Sequence, residues 1–315
     1  MTTHQRILVT GASGFMGPHV VAALRKAGYR IRLAQRRPSA APEGVETVAI
    51  GDLAQPVDWD AALEGVEHVV HLAGLAHAGP GLDEALYTAI NTRATRDLAI
   101  AAKRAGVSRF VYLSSLKALS GAFDGPPLHD DDRPAPDDAY GRSKLAAEKA
   151  LAELDIDWVS LRPVLVYGPG VKANMAALLR LARLPVPLPL GGLTAPRSLV
   201  AVENLADAIL FALTPSCPAR RAYLVADPEP VSVAQIIAGL RGGMGRGPGL
   251  IPIPASWLEL AARLAGKRDA FEKLSGSLVA VPRDLLAAGW RPPLTTAEGL
   301  ARLGCEPPRG TSAAP

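Results

Sequence analysis

The chain has 315 residues, 49% hydrophobic and 20% charged, with a formal net charge of +4, which excludes a disordered or fibrous chain. Its arginines are scattered without interleaved aromatics, so a nucleic-acid partner is not expected, and an anionic small molecule accounts for the mild basic excess. The two cysteines, Cys217 and Cys305, offer neither a disulfide framework nor a metal site; without a signal-peptide succession or an apolar run near 18 residues, the expected protein is soluble, cytoplasmic and free of transmembrane segments.

An apolar run from Arg6 to Thr10 predicts the first strand, and GASGFMG leads from it into an apolar-periodic helix at about Pro18 to Ala27. Gly11, Gly14 and Gly17 there serve a tight turn, close approach of a pyrophosphate to backbone, and close packing of helix on strand, with helix amides facing the phosphates. The spacing is G-x-x-G-x-x-G rather than G-x-G-x-x-G, and the alternative is a glycine-rich turn that binds nothing. A second strand, Arg30 to Ala34, ends in Gln35-Arg36-Arg37. An acidic residue at that point would hold the ribose hydroxyls of NAD, whereas two guanidinium groups suit a 2′-phosphate and lean the cofactor toward NADP(H).

Strands at Val45 to Ile50 and His68 to Leu72 end in Gly51-Asp52-Leu53 and Ala73-Gly74, which places Asp52 and Ala73 at the carboxyl edge of the sheet beside an adenine. A helix over Asn91 to Ala105 then precedes the strand Arg109 to Leu113, which delivers Ser114 and Ser115 to the same edge. Past Ser115, the stretch PDDAYGRSKLAAEKALAE, whose Tyr140 lies 25 residues on, predicts a helix beginning close to Asp138, with Asp137 or Asp138 as its cap. Tyr140 and Lys144 lie one turn apart on that helix. An ammonium near a phenol favours the phenolate, so Tyr140 is a candidate general acid or base; the plainer alternative has Lys144 bridging to Glu148.

TGASGFMG, the DL after the third strand, HLAG, NTRAT, FVYLSS and YGRSK, in this order, resemble an extended short-chain dehydrogenase/reductase of the NAD-dependent nucleotide-sugar epimerase/dehydratase branch, similar to UDP-glucose 4-epimerases. The resemblance implies a Rossmann-type doubly wound parallel sheet over residues 1–168, completed by segments near 197–225. A small discontinuous C-terminal substrate lobe would occupy most of 169–303, with a disordered tail over 304–315. It implies Tyr140 as acid/base, Lys144 as the lysine that lowers its pKa and binds nicotinamide ribose, and Ser115 as the hydroxyl on the reacting oxygen, with Ser114 as substitute. Cofactor contacts are implied from Gly11, Ser13, Gly14, Phe15, Met16, Gly17, Arg36, Arg37, Asp52, Leu53, Leu72, Ala73, Gly74, Asn91, Ser114, Tyr140 and Lys144, with Pro163 and Val166 of the RPVLVYGPG run beside nicotinamide and substrate.

Beyond Gly170 the composition shifts toward Pro and Gly. Asn174 resembles the amide on a nucleotide diphosphate and Arg197 the arginine on the substrate's phosphates, although a helix cap and a solvated arginine are equally open. Lys117 stands where epimerases carry a small Ser or Thr beside the sugar. Lys267 and Arg268 could add a phosphate contact; RGGMGRGPG from Arg241 is expected as a flexible loop. The implied activity is hydride transfer at a sugar carbon by a UDP-hexose 4-epimerase-like homodimer acting on a nucleotide sugar. The alternatives are an NADPH-dependent reductase of a 4-keto-6-deoxy nucleotide sugar and a non-catalytic dinucleotide-sensing regulator.

Overall fold

Ile7, Leu8 and Val9 put no polar side chain on either face of the first strand, the pattern of a strand covered on both sides. A computed structural model describes residues 5–37, 42–76, 83–121, 124–266 and 268–307. The strands in chain order are β1 (Arg6–Thr10), β2 (Arg30–Gln35), β3 (Glu46–Ala49), β4 (His68–His71), β5 (Arg109–Leu113), β6 (Leu128–His129), β7 (Trp158–Pro163), β8 (Leu165–Tyr167), β9 (Leu199–Ala201), β10 (Arg221–Val225) and β11 (Ala280–Val281). Seven form one sheet in the order β10-β7-β5-β4-β1-β2-β3, every neighbouring pair parallel. The strand order reverses between β1 and β4, and a doubly wound sheet opens its ligand crevice at the carboxyl ends of that pair.

Alternate residues of β1 feed two separate cores. Ile7 and Val9 pack with Val20, Val21 and Leu24 of the helix Gly17–Lys26 and with Leu205 and Ile209 of the helix Val202–Ala212. Leu8 faces Leu98 and Ala102 of the helix Ala94–Arg104 and Ala147 and Leu151 of the helix Ala139–Ala152. A third core builds a lobe from the helices Ala173–Arg183, Val233–Gly243 and Thr296–Cys305, the last two opened by capping boxes at Ser232/Gln235 and Thr295/Glu298. Chain crossings tie lobe to sheet: β8 pairs with β9, and β6, on the way to Tyr140, pairs with β11 near the end of the chain.

Two expectations for the C-terminal half need correction. The helix Val233–Gly243 runs through the start of RGGMGRGPG. The buried Arg241 guanidinium then pins the glycine segment by donating to the carbonyls of Ala182, Leu184, Val186, Pro248 and Gly249. The tail expected from Gly304 is helical as far as Cys305, with Leu303 and Gly304 buried, because leucines at one helical face complete the third core. Residues 308–315 and Lys267 lie outside the described residues, and Arg268 opens the helix Arg268–Ser275 and pairs with Glu272 at 2.7 Å.

Candidate active site

Sheet order brings the ends of β5, β4 and β1 side by side, so Ser114 and Ser115, Leu72 to Gly74, and the glycine turn from Gly11 share one edge. The turn is built for an anion. Gly11 has φ +73°, and a Cβ on Gly17 would lie 2.1 Å from the Ala12 carbonyl oxygen, so helix and turn touch only because no side chain intervenes. Ser13 and Gly14 are exposed, while Phe15 and Met16 are half-buried; the helix Gly17–Lys26 has no side-chain N-cap and no acid in its first turn. Its first turn therefore has no carboxylate or side-chain cap competing for the positive end of its dipole, the condition under which a helix start can receive a pyrophosphate.

Behind the turn runs a buried hydrogen-bond strut whose direction can be worked out. Thr95 Oγ1 donates to the Asn91 carbonyl at 2.7 Å, so it must accept at 2.9 Å from His71 Nε2. His71 is thus the neutral Nε2–H tautomer, and its Nδ1 accepts from Thr10 Oγ1 at 2.7 Å; Thr10 Oγ1 in turn accepts the Ala73 amide at 3.2 Å. Burial, helped by the Lys144 charge, lowers the His71 pKa to about 3, in accord with that tautomer.

Asn91 lies in a π-helical stretch, Thr88–Arg93, within a helix that starts at Glu84 on an Asp83 cap rather than near Asn91 as the sequence suggests. It is fully buried. Its amide accepts the Leu75 N–H at 2.7 Å and donates to the Leu75 carbonyl at 3.0 Å and to Ser143 Oγ at 2.9 Å. Asn91, expected as a cofactor contact, also serves as a strut: Ser143 Oγ donates to the Tyr140 carbonyl at 2.7 Å, linking the segment after β4 to the turn that carries Tyr140.

The helix Ala139–Ala152 begins on Asp138, whose carboxylate accepts the Gly141 amide at 2.7 Å and pairs with Lys117 at 2.5 Å. Lys117 is half-exposed beside Ser115, and its amide donates to Ser115 Oγ at 3.2 Å. Tyr140 is hydrogen-bonded to Ser115. Spacing alone predicts a phenol acidified by Lys144; here burial dominates and pushes the phenol up to about 12, the Ser115 hydroxyl pulling it down and the Asp138 charge pushing it further up. Lys144 is 4% exposed, donates to the Leu113 carbonyl at 2.8 Å, and lies 4.8 Å from the Tyr112 ring centroid and 6.0 Å from that of Tyr140. Burial lowers its own pKa to about 8, and the charge of Glu148 opposes that shift. Glu148 does not bridge to Lys144. It is buried against Arg162 of β7, at 2.6 Å, and Ser160.

The other expected residues divide clearly. Ser114 Oγ is buried just past β5 with no hydrogen-bond partner among the described residues. Arg36 and Arg37 are exposed just past β2; Asp52 is exposed and caps the Ala54 amide, and Leu53 packs on the second core. Pro163 ends β7 buried, and Val166 packs against the first core. Asn174 is exposed in the first turn of the helix Ala173–Arg183. Arg197 donates to the carbonyls of Leu274 and Gly276 at 2.6 and 2.7 Å, so part of its fork holds the lobe together. Thr10, His71, Thr95, Ser143 and Arg162 were not singled out by sequence; each acts through a partner distant in the chain.

A glycine turn at a switch point, an uncapped helix start and a half-buried Tyr140–Ser115 pair backed by the buried Lys144 define a dinucleotide-dependent enzyme of the short-chain dehydrogenase type. The sequence pattern of the NAD dependent epimerase/dehydratase family matches residues 7–226, and the chain belongs to that family. It is 36% identical over 304 residues to the UDP-glucose 4-epimerase of Vibrio cholerae, covering 93% of this chain and 92% of that protein. It is 31% identical over 301 residues to the ceramide reductase of Caulobacter vibrioides, covering 91% and 86%. Among solved structures, a Thermus thermophilus UDP-glucose 4-epimerase in complex with NAD superposes with a TM-score of 0.71 at 26% identity, covering 96% of this chain and 98% of that one.

Proposed function

We propose that the enzyme is a UDP-hexose 4-epimerase-like oxidoreductase acting on a nucleotide sugar. The observation that carries this is the half-buried Tyr140, hydrogen-bonded to Ser115 with the buried Lys144 behind it, at the edge where the glycine turn ends. The likeness to the Vibrio cholerae epimerase over nearly the whole chain supports the substrate class. Gly11, Ser13, Gly14 and the first amides of the helix Gly17–Lys26 would hold the pyrophosphate, with Ala73 and Gly74 bordering the adenine half and Lys144 the nicotinamide ribose. A nicotinamide dinucleotide, when bound, supplies the hydride acceptor and donor and, oxidised, a positive charge near the phenol.

Within the chain, Tyr140, as the phenolate that the Lys144 ammonium and an oxidised nicotinamide would favour, takes the proton from the C4 hydroxyl oxygen as hydride leaves the carbon. It returns the proton when hydride comes back to the other face of the 4-keto sugar. The Ser115 hydroxyl steadies the developing charge on that oxygen, and the Leu113 carbonyl and Glu148 hold the Lys144 ammonium charged beneath the site. Lys117, neutralised by Asp138, narrows the substrate mouth where a short hydroxyl side chain was expected. Asn174 and Arg197 are assigned to the diphosphate side of the substrate.

A second mode is favoured by Arg36 and Arg37 past β2: reduction of a 4-keto-6-deoxy nucleotide sugar at the expense of NADPH, for which a 2′-phosphate would meet the two guanidinium groups. Acid release and identification of the co-purified dinucleotide separates the two. Tightly held cofactor returned unchanged after turnover supports epimerisation; an empty site that consumes NADPH stoichiometrically sinks it. A homodimer through the adjacent helices Ala94–Arg104 and Ala139–Ala152 is proposed as the assembly, to be checked by light scattering.

A further inference from the structure

The helix Ala255–Leu264 has no fully buried residue, and it turns Trp257, Leu260 and Leu264 outward at 72%, 58% and 83% exposure. These positions are i, i+3 and i+7, one stripe of a helix, while Leu258 faces the third core. Leu184, Val186 and Ile251, all exposed, lie on two loops that run together, the second leading directly into this helix: the Leu188 amide donates to the Gly249 carbonyl at 2.9 Å and the Ile251 amide to the Leu188 carbonyl at 2.8 Å. Buried Arg241 clamps both loops through the Leu184, Val186, Pro248 and Gly249 carbonyls, so the apolar side chains are presented by a held backbone. Pro254 opens the helix, and the Trp257 amide donates to its carbonyl at 3.0 Å, so Trp257 is only six residues past Ile251.

The segments that carry these apolar residues are basic. Arg180, Arg246 and Arg263 are exposed and Arg183 is half-buried on segments 180–190 and 241–266, whose one carboxylate is the half-buried Glu259, while the exposed Glu272 of the next helix is paired with Arg268. Large apolar side chains centred on a helix and rimmed by cations match the boundary of an anionic bilayer, where leucine and tryptophan enter below the headgroups and arginines meet phosphate. We propose that this face of the C-terminal lobe is a membrane-docking surface for anionic phospholipid. It presents the enzyme to a lipid surface without a transmembrane helix, none of the described helices being long and apolar enough to span one. The proposal stands independently of the sugar chemistry.

The tryptophans give a direct readout. Trp59, Trp158 and Trp290 are 3%, 6% and 2% exposed, so of the four tryptophans only Trp257 can change its surroundings on docking. The full chain is mixed with vesicles of phosphatidylcholine alone and of phosphatidylcholine with phosphatidylglycerol at three to one. The expected result is a blue shift of tryptophan emission and co-sedimentation with the anionic vesicles only, both weakened by added salt. Leu260→Asp should weaken co-sedimentation by roughly tenfold or more, the worth of one leucine withdrawn from water, with an unchanged circular-dichroism melt. Trp257→Phe should abolish the blue shift and leave co-sedimentation nearly intact. Absence of binding to anionic vesicles, or equal binding to neutral ones, overturns the proposal. So does a concentration-dependent self-association that Leu260→Asp removes, since a second copy would then cover the face.

Discussion

At the scale of the residue, His71 shows how a neutral imidazole can organise a site without touching substrate. It is wholly buried and joins Thr10, which steadies the Ala73 amide, to Thr95 and the carbonyl of Asn91. Its folded pKa of about 3 lies below the ordinary 6.5, so as pH falls through that interval the unfolded chain takes up a proton that the folded chain refuses. Stability from this group is complete above pH 6.5 and is lost toward pH 3, with a slope of up to about 1.4 kcal/mol per pH unit. Asp227 works the other way: its carboxyl, raised to about 6 by burial, binds its proton in the folded state first and adds stability as pH falls from about 6 to 3.8. The difference in unfolding free energy between wild type and His71→Asn, from urea titrations at several pH values, should therefore shrink on acidification below 6.5; a constant difference would remove His71 from this role. For the chemistry, Tyr140→Phe should lower turnover by at least about a hundredfold with dinucleotide affinity retained, measured by steady-state kinetics and by cofactor titration. Tyr140, Lys144 and Ser115 were legible because their spacing on one helix and one strand end is local. His71 was not, since its partners Thr10 and Thr95 are 61 and 24 residues away.

At the scale of the element, the helix Ala139–Ala152 is fixed at three points: its Asp138 cap, Lys144 on the end of β5, and Glu148 on β7. The Glu148 and Arg162 side chains are 5% and 8% exposed, so Glu148→Gln leaves a buried guanidinium without its charge partner. It should destabilise the fold by about 3–5 kcal/mol, seen as a lowered denaturation midpoint. A Cβ on Gly141 would lie 2.2 Å from the Lys117 carbonyl oxygen, so the glycine of YGRSK lets the helix approach the turn carrying Ser115. Gly141→Ala should push that turn away and cut kcat by tenfold or more while leaving dinucleotide affinity near normal, because the glycine turn is untouched; an unchanged kcat would show that Ser115 is not positioned this way. The sequence marked this helix and its cap. It did not mark the π-helical stretch holding Asn91, because Asn91's hydrogen bonds to Leu75 and Ser143 depend on how two elements meet.

At the scale of the molecule, the sheet order β10-β7-β5-β4-β1-β2-β3 gathers the glycine turn, Ala73, Ser115 and Tyr140 at one switch point although more than a hundred residues separate the first from the last. Hydrophobic runs and glycine turns made the parallel sheet readable in the chain. The lobe was harder to read: its helices are short, Arg241 holds a glycine-rich segment from within, and Arg197 serves carbonyls of the lobe as well as any phosphate. In the proposed function, nucleotide-sugar specificity falls to that lobe and hydride transfer to the sheet edge. The most direct measurement is to supply UDP-glucose carrying deuterium at C4 and follow the product by mass spectrometry and proton NMR. Epimerisation through Tyr140 predicts UDP-galactose with deuterium still at C4, no net change in cofactor redox state, and no such product from Tyr140→Phe. Deuterium lost to solvent, or no C4 inversion while NADPH is consumed on a keto sugar, would contradict it.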